Sequence, residues 1–528
     1  MSTSIARPLI FFPLLASVLV GLCLFGASAD AQPKKGGILR VGLYNDATSM
    51  DPGTSTNVPG IRVRNLIYET LLAWDKDLNL QPMLADRYDV SSDGLTYTFA
   101  LRKGIKFHDG AEFTADDVKF TFDRLLKVSP RKSNLSMIDR IDVIDPHTVR
   151  FRLKQAGPLF LQGVSMWFSQ ITPKQNSEQQ LRAHGQILEP VGTGPYKIAE
   201  WRRGQQIRLV RFADYVPRSE PASGLAGQKI AYLDEVVYIP IKDNQIRMLS
   251  LEQDEVQYVQ QVPPEDTQRL AADPKIEVKS VPGTNWSAIY FNTVLKPVSS
   301  KAMRQAIASA IDYDELNKAA FWGRGTVNNS LIPEAQVTWR TPEHRLAFKH
   351  DPARVKRLLQ EAGYKGEELI FQTSNEPVYD LIAQNLQAQL KRVGINIKLS
   401  VLESAAHGAS LYIRSSQNKV PSWHMGLLVS MAFRPDPDMH YYTRGHSSAN
   451  IGFWKNAAYD ALVEKARALQ NVTERRRLYA QAHQLLIEEV PFIVLLNEPY
   501  IDAYRTSVKG AQVLDPHMDI FWGVWLEK

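Results

Sequence analysis

Cysteine is all but missing. Cys23 is the only one among 528 residues, which excludes a disulfide framework and zinc sites built on paired thiolates. Catalytic signatures are missing as well. The chain has no GxSxG elbow, no GxxxxGK(S/T) phosphate loop, no GxGxxG turn and no HExxH pair, so those hydrolase, nucleotide and zinc chemistries have no residues to stand on. Charge of one sign is not in excess. The net charge is +6, from 62 basic against 56 acidic residues, and its even spread argues against nucleic acid as a partner. Linkers rich in glycine, serine or proline are absent, and so are internal repeats. Beyond Phe25 no apolar run approaches the roughly 20 residues a membrane-spanning helix needs.

What is present begins at the amino terminus. Arg7 precedes an apolar stretch from Leu9 to Phe25, and Ala27-Ser28-Ala29 and Ala29-Asp30-Ala31 follow. That order of charge, apolar run and small residues reads as a secretory signal peptide. Pro13 argues against a membrane span, and bulky Leu22 before Cys23 argues against a lipid-anchored cysteine. Cleavage after Ala31 leaves a chain without thiols, so an exported protein of this length rests on its apolar core. A hydrophobic content of 44% with 22% charged residues suits a globular chain, and the length calls for two or three domains.

Periodicity places the elements. "GGILRVGLYN" (36–45) reads as a first strand and "RVRNLIYETLLAWD" (62–75) as a helix. "SSDGLTYTFALRKG" (91–104) gives a turn and a strand with Leu95, Tyr97, Phe99 and Leu101 on one face. In "FHDGAEFTADDVKFTFDRLL" (107–126) Thr114 caps a helix with Asp117 three residues on. Asp351, Pro352 and Gly363 bracket another helix, Gly394 closes one that leads into a strand, and "TERRRLYAQAHQLLIEEVPFIVLLN" (473–497) is a helix running into the buried strand Phe492–Leu496. Helices alternating with short strands predict α/β domains, joined by strands that cross between them.

One stretch concentrates chemistry. "MAFRPDPDMHYY" (431–442) sets Asp436 and Asp438 among prolines and aromatics. It lacks the glycine and terminal glutamate of a calcium loop. Histidines 424, 440 and 446 lie nearby in sequence, at gaps that do not require convergence on a metal. Trp286, Tyr290, Trp423, Phe433, Tyr441 and Tyr442 fall in segments that read as loops or strand ends, where aromatic rings suit a ligand pocket as well as a core.

Four motifs carry a resemblance. "SMDP" (49–52), "LRKGIKFHDGAEFTADDVKFTFDRLL" (101–126), "VGTGPYKIAEW" (191–201) and "MRQAIASAIDYDEL" (303–316) resemble, in the same order, the periplasmic peptide-binding proteins of ABC importers, a group that includes dipeptide, oligopeptide, glutathione and nickel binders. The resemblance implies an α/β, two-lobed periplasmic binding protein of type II in its three-domain form, with the ligand cleft between the lobes. It implies a first lobe from 32–65, 186–280 and 495–528, an extra subdomain over 66–185 and a second lobe over 281–494. The partners implied are a peptide or other small solute and the transmembrane subunits of an ABC permease with cytoplasmic ATPases. No metal, cofactor, catalytic residue or nucleic acid is implied, and the receptor is expected to act as a periplasmic monomer.

Peptide-binding relatives pair an aspartate with the peptide's α-ammonium. Matching the trailing Asp-Pro-Asp sets Phe433 at that position, so Asp436 and Asp438 are expected to brace the loop after the pocket. The expected wall residues are Asn45, Ala47 and Thr48 after the first strand, Asn285 and Trp286 at the crossover, and Trp423, Met431, Phe433 and Arg434 in the second lobe. Arg434 would meet a ligand carboxylate or pair with Asp436 or Asp438. Without the acid, a modified peptide, an opine, a glycoside, a glutathione-like solute or a metal complex becomes the alternative ligand. An exported hydrolase would need two carboxylates about 5–10 Å apart across a cleft, and no recognisable pair provides them.

Overall fold

Two long antiparallel strands organise the chain, Ile276–Phe291 and Phe492–Arg505. They pair from Ile276 opposite Arg505 to Pro282 opposite Pro499, lose register, and pair again from Trp286 opposite Asn497 to Tyr290 opposite Phe492. At the break two prolines face each other, so neither strand has an N–H to donate to the ladder there. Gly283 lies in the same stretch. A Cβ on it would come within 2.5 Å of the Glu498 carbonyl oxygen, so only glycine allows this crossing. The computed structural model describes residues 32–527 apart from residues 158, 335, 345–347, 413–418, 431–435 and 515–519.

Each half of the strand pair carries its own set of strands. On one side of the break Phe492–Arg505 pairs with Tyr258–Val259, and the sheet continues through Ile38–Leu43, Glu235–Pro240, Gln206–Arg211 and Tyr196–Arg202. On the other side Ile276–Phe291 pairs with Met425–Ser430, followed by Leu369–Ser374 and Ile397–Leu402. Ile38–Leu43 is parallel to both of its neighbours, and so is Leu369–Ser374. Both parallel sets run toward the break: Tyr258 faces Tyr504 and Val259 faces Ala503, while Ser430 faces Trp286. Two lobes therefore turn the carboxyl ends of their strands toward one crossing.

Separate cores hold the lobes. Leu39, Val41, Tyr238 and Trp522 belong to one on the first side, and Met248, Leu251 and Ile501 pack on the opposite face of that sheet. Ile289, Phe371, Leu386 and Leu427 form the largest core of the second lobe. Its other face buries Trp286, Tyr290, Trp423, Tyr441 and Tyr479. A four-stranded antiparallel sheet, Ala85–Val90, Thr96–Leu101, Thr148–Leu153 and Ile138–Asp145 in spatial order, stands apart with the helix Ala115–Val128 against it. Phe122 meets Phe151 edge-on at 5.1 Å inside this unit, a favoured aromatic geometry.

Local signals explain most elements. Thr114 and Asp117 form the expected capping box, and Val118, Phe122 and Leu125 are the buried stripe. The expected helix over 62–75 is corrected. The helix is Val58–Ile67, started by the Asn57 side chain and Pro59, and Leu72–Trp74 is a strand paired with Leu80–Pro82. Every residue from Pro59 to Ile67 is buried, so no single apolar stripe marks its ends. The strand expected over Phe492–Leu496 extends to Arg505, carried past Pro499 by the register break. The glycines of "VGTGPY" act through close approach: a Cβ on Gly192 would meet the Ile67 carbonyl oxygen at 2.1 Å.

Candidate functional site

Strand ends meeting at a crossing are where open α/β sheets bind ligands. From the first lobe, the segment after Ile38–Leu43 reaches this place. Asn45 is exposed and its side-chain oxygen accepts from the Asp46 N–H at 2.9 Å. Thr48 is exposed; its N–H donates to Asn57 Oδ1 and its carbonyl accepts from Arg203 Nη1 at 3.1 Å. Ala47 is fully buried in the first lobe's core. Arg62 stands close by, its guanidinium over the rings of Tyr44 and Tyr500 and donating to the Tyr500 hydroxyl. Tyr500 and Tyr258 both donate to Asp502 Oδ2. Burial raises the Asp502 carboxyl, and Arg62 opposes that shift.

At the crossing itself stand Asn285 and Glu498. The Asn285 amide donates to Glu498 Oε2 at 3.4 Å, and the Asn285 carbonyl accepts from Asn497 at 3.0 Å. Burial pushes the half-buried Glu498 carboxyl up to about 7; the Asn285 hydrogen bond works against this and the like charge of Glu376 adds to it. Glu376 follows the strand Leu369–Ser374 and accepts from Ser404 Oγ at 2.5 Å. These two acids were missed by sequence reasoning. For Glu498 the signal was a Glu-Pro pair in the middle of a mostly apolar strand, "FIVLLNEPYIDAYR"; Glu376 lies outside it, at the start of the helix Pro377–Arg392.

The remaining expected residues are distributed unevenly. Trp286 lies at the crossing but is fully buried, its ring 5.9 Å from that of His440 and under the Arg444 guanidinium at 5.6 Å. Trp423 is 1% exposed and precedes Met425, the partner of Phe291. It therefore lies at the amino end of its strand, away from the crossing, and is not brought together with the others. Met431, Phe433 and Arg434 lie outside the described residues. Histidines 424, 440 and 446 do not converge: His424 accepts from the Ile370 N–H, His446 bonds Ser448 and Glu464, and His440 stands beside Trp286.

Asp436 and Asp438 have arginines of their own. Arg475, on the helix Val472–Glu489, grips Asp436 through both nitrogens at 2.6 and 2.8 Å, and both side chains are buried. Asp438 is fully buried, 3.1 Å from Arg467 Nε and from the Tyr479 hydroxyl. Burial still pushes its carboxyl up to about 6 despite Arg467. These acids fasten the helix Asp438–Gly445 to the two that follow it.

Cavities lie between units of the fold, and two of them bear on the site. One, of about 510 Å³, runs from Val58 and Ile61 past Met166 and Trp167 to Asp438 and Tyr442. The other, of about 400 Å³, lies at the crossing between Val262–Pro264 of the first lobe and Phe321, Trp322 and Leu381 of the second, with Glu498 in its wall. Both volumes are in the range of ligand pockets.

Comparison with known proteins agrees with this architecture. The chain is 27% identical over 506 residues to the glutathione-binding protein GsiB of Salmonella choleraesuis strain SC-B67, covering 94% of this chain and 95% of that protein. Its structure is similar to the ABC transporter substrate-binding protein CtaP of Listeria monocytogenes, with a TM-score of 0.80, 25% identity and coverage of 94% and 100% of the two chains. It is also similar to the periplasmic binding protein DppA of Helicobacter pylori in complex with the peptide STSA, with a TM-score of 0.72, 28% identity and coverage of 94% and 99%. Residues 79–452 match the middle region of one family, and on that match the chain belongs to the bacterial extracellular solute-binding proteins, family 5.

Proposed function

We propose that this chain is the periplasmic receptor of an ABC importer, capturing peptides between its lobes and handing them to a membrane permease. The observation that carries the reading is the crossing. Pro282 opposite Pro499 leaves the two connecting strands without ladder donors at one level, which favours bending there over bending within either lobe. A ligand that touches both lobes then stabilises the closed arrangement by the contacts it makes only there. Family membership supports the role of solute receptor, and the similarity to glutathione- and peptide-binding relatives supports a peptide-like ligand.

Export through the segment 1–31, action as a monomer and binding without turnover complete the proposal. Asn45, Thr48 and Asn285 are proposed to contact the ligand, joined by Met431, Phe433 and Arg434 from the second lobe. Ala47 and Trp286 support that wall from within the cores, and Trp423 has no place in it.

Native mass spectrometry of the gently purified protein, followed by denaturing release, tests this reading. Stoichiometric peptides, recovered uncleaved, are the expected result. A single non-peptide mass would move the protein to another solute class, and hydrolysis of an added peptide would overturn the receptor reading.

A further inference from the structure

The cavity at the crossing has a chemistry of its own. Its charged lining residues are Glu265 and Glu498, both acidic. Most of the rest of its wall is apolar, including Val262, Phe321, Val378 and Leu381. Among the described residues the neutral amide of Asn285 bonds Glu498, and no lysine, arginine or histidine pairs with it. A carboxylate in such surroundings is costly unless a cation reaches it. The amino-terminal turn of the helix Pro377–Arg392 opens on the same space, but Glu376 already stands at its start, so the balance remains negative.

Trp322 is the second feature. It caps the helix Tyr313–Phe321 with φ at +51° and is 50% exposed at the cavity's rim. A bulky residue in the left-handed region is uncommon, and such conformations gather where function holds them. Trp286 and Trp423, by contrast, are buried in the core. An exposed indole lining the same cavity as an acid that no cation pairs among the described residues is a combination suited to ammonium groups.

We propose that this cavity is the subsite for a ligand's ammonium group, with the Glu498 carboxylate as its counter-ion and the Trp322 indole as the face that closes on it. The inference rests on the receptor reading and deepens it: the ligand class is one with a free amine, such as a peptide amino terminus, and the acid lies on the crossing strand rather than in the "MAFRPDPD" segment. Val262–Pro264 and Trp322 approach the ammonium from different lobes, so closure removes water from the ion pair and strengthens it.

The test compares wild type, Glu498→Gln and Trp322→Phe, purified in parallel as full-length proteins, with released solutes identified by mass spectrometry. Wild type is expected to carry solutes with a cationic nitrogen, and Glu498→Gln about tenfold less of them, the loss of one charge-assisted bond. Trp322→Phe should carry less than wild type and lose the ligand-induced change in tryptophan emission. Equal loading of wild type and Glu498→Gln, or solutes without a cationic nitrogen, overturns the subsite and leaves the receptor reading in place. If wild type is empty, tri-alanine and N-acetyl-tri-alanine are titrated. A preference of about tenfold for the free amine supports the subsite and equal binding overturns it. Binding of neither contradicts the peptide-receptor reading and takes the subsite with it. A melting temperature for Glu498→Gln at or above that of wild type separates lost binding from lost folding.

Discussion

Asp436 with Asp438 and Glu376 with Glu498 are two pairs of acids in one molecule, and they differ in what neutralises them. The first pair is gripped by Arg475 and Arg467 from helices that follow it in the chain. The second pair has Asn285 and Ser404 as partners and no cation among the described residues. A buried acid with its own arginine is part of the architecture, because removing either partner strands a charge. An acid left without one is available to an outside cation. The sequence draws attention to the first pair, and the geometry to the second.

Breaking the first pair should give the largest effect. Arg475→Ala leaves Asp436 buried and alone, and is expected to cost about 3–5 kcal/mol in urea unfolding; adding Asp436→Asn should recover part of it. A loss below about 1 kcal/mol, typical of surface pairs, would remove the contrast.

Acid comes next. Burial pushes His344 down to about 4, and His483, stacked on it, well below its ordinary value. The unfolded chain takes up these protons first, so their contribution to stability falls as pH drops from 6.5 toward 4, by up to roughly 3 kcal/mol for His344. Asp438 and Glu498 act in the opposite sense. Their carboxyls are raised in the fold, so the native state binds protons first and gains stability as pH falls from about 7 toward 4.5. A melting-temperature profile should therefore fall less steeply in wild type than in Glu498→Gln.

Gly283→Ala forces a methyl against the Glu498 carbonyl and should cost about 1–3 kcal/mol, with a larger loss in ligand affinity than stability alone explains. Glu498→Gln should be more stable than wild type by about 1 kcal/mol at pH 8, after allowing for solvent screening, and the gain should vanish below pH 5. Destabilisation by that variant at pH 8 would place Glu498 with the first pair. The smallest effect is expected of Trp423→Phe, which should leave the emission change on ligand binding intact because its ring is 1% exposed away from the crossing.

Much of the fold was legible because its signals are local. The capping box of Thr114 and Asp117, the Asp351 cap and the first strand all follow from a few adjacent residues. The helix Val58–Ile67 was misplaced because it is buried nearly all round, and periodicity needs a wet face to show an edge. Site residues were harder. Asn45 and Thr48 could be placed after the first strand and Asn285 at the crossover, but the indoles of Trp286 and Trp423 are core and Trp322 is exposed, a difference that depends on tertiary packing. Glu498 could be noticed as an acid in a mostly apolar strand, but that no cation among the described residues faces it depends on tertiary packing. The two prolines of the crossing lie 217 positions apart, and only pairing reveals that they stand opposite each other.

Small-angle scattering with and without a bound ligand tests the hinge most directly. The lobes are expected to close, so the loaded protein should have the smaller radius of gyration, with the change reduced in Gly283→Ala. Identical scattering at full occupancy would contradict a crossing that bends and would require the ligand to enter a receptor already closed.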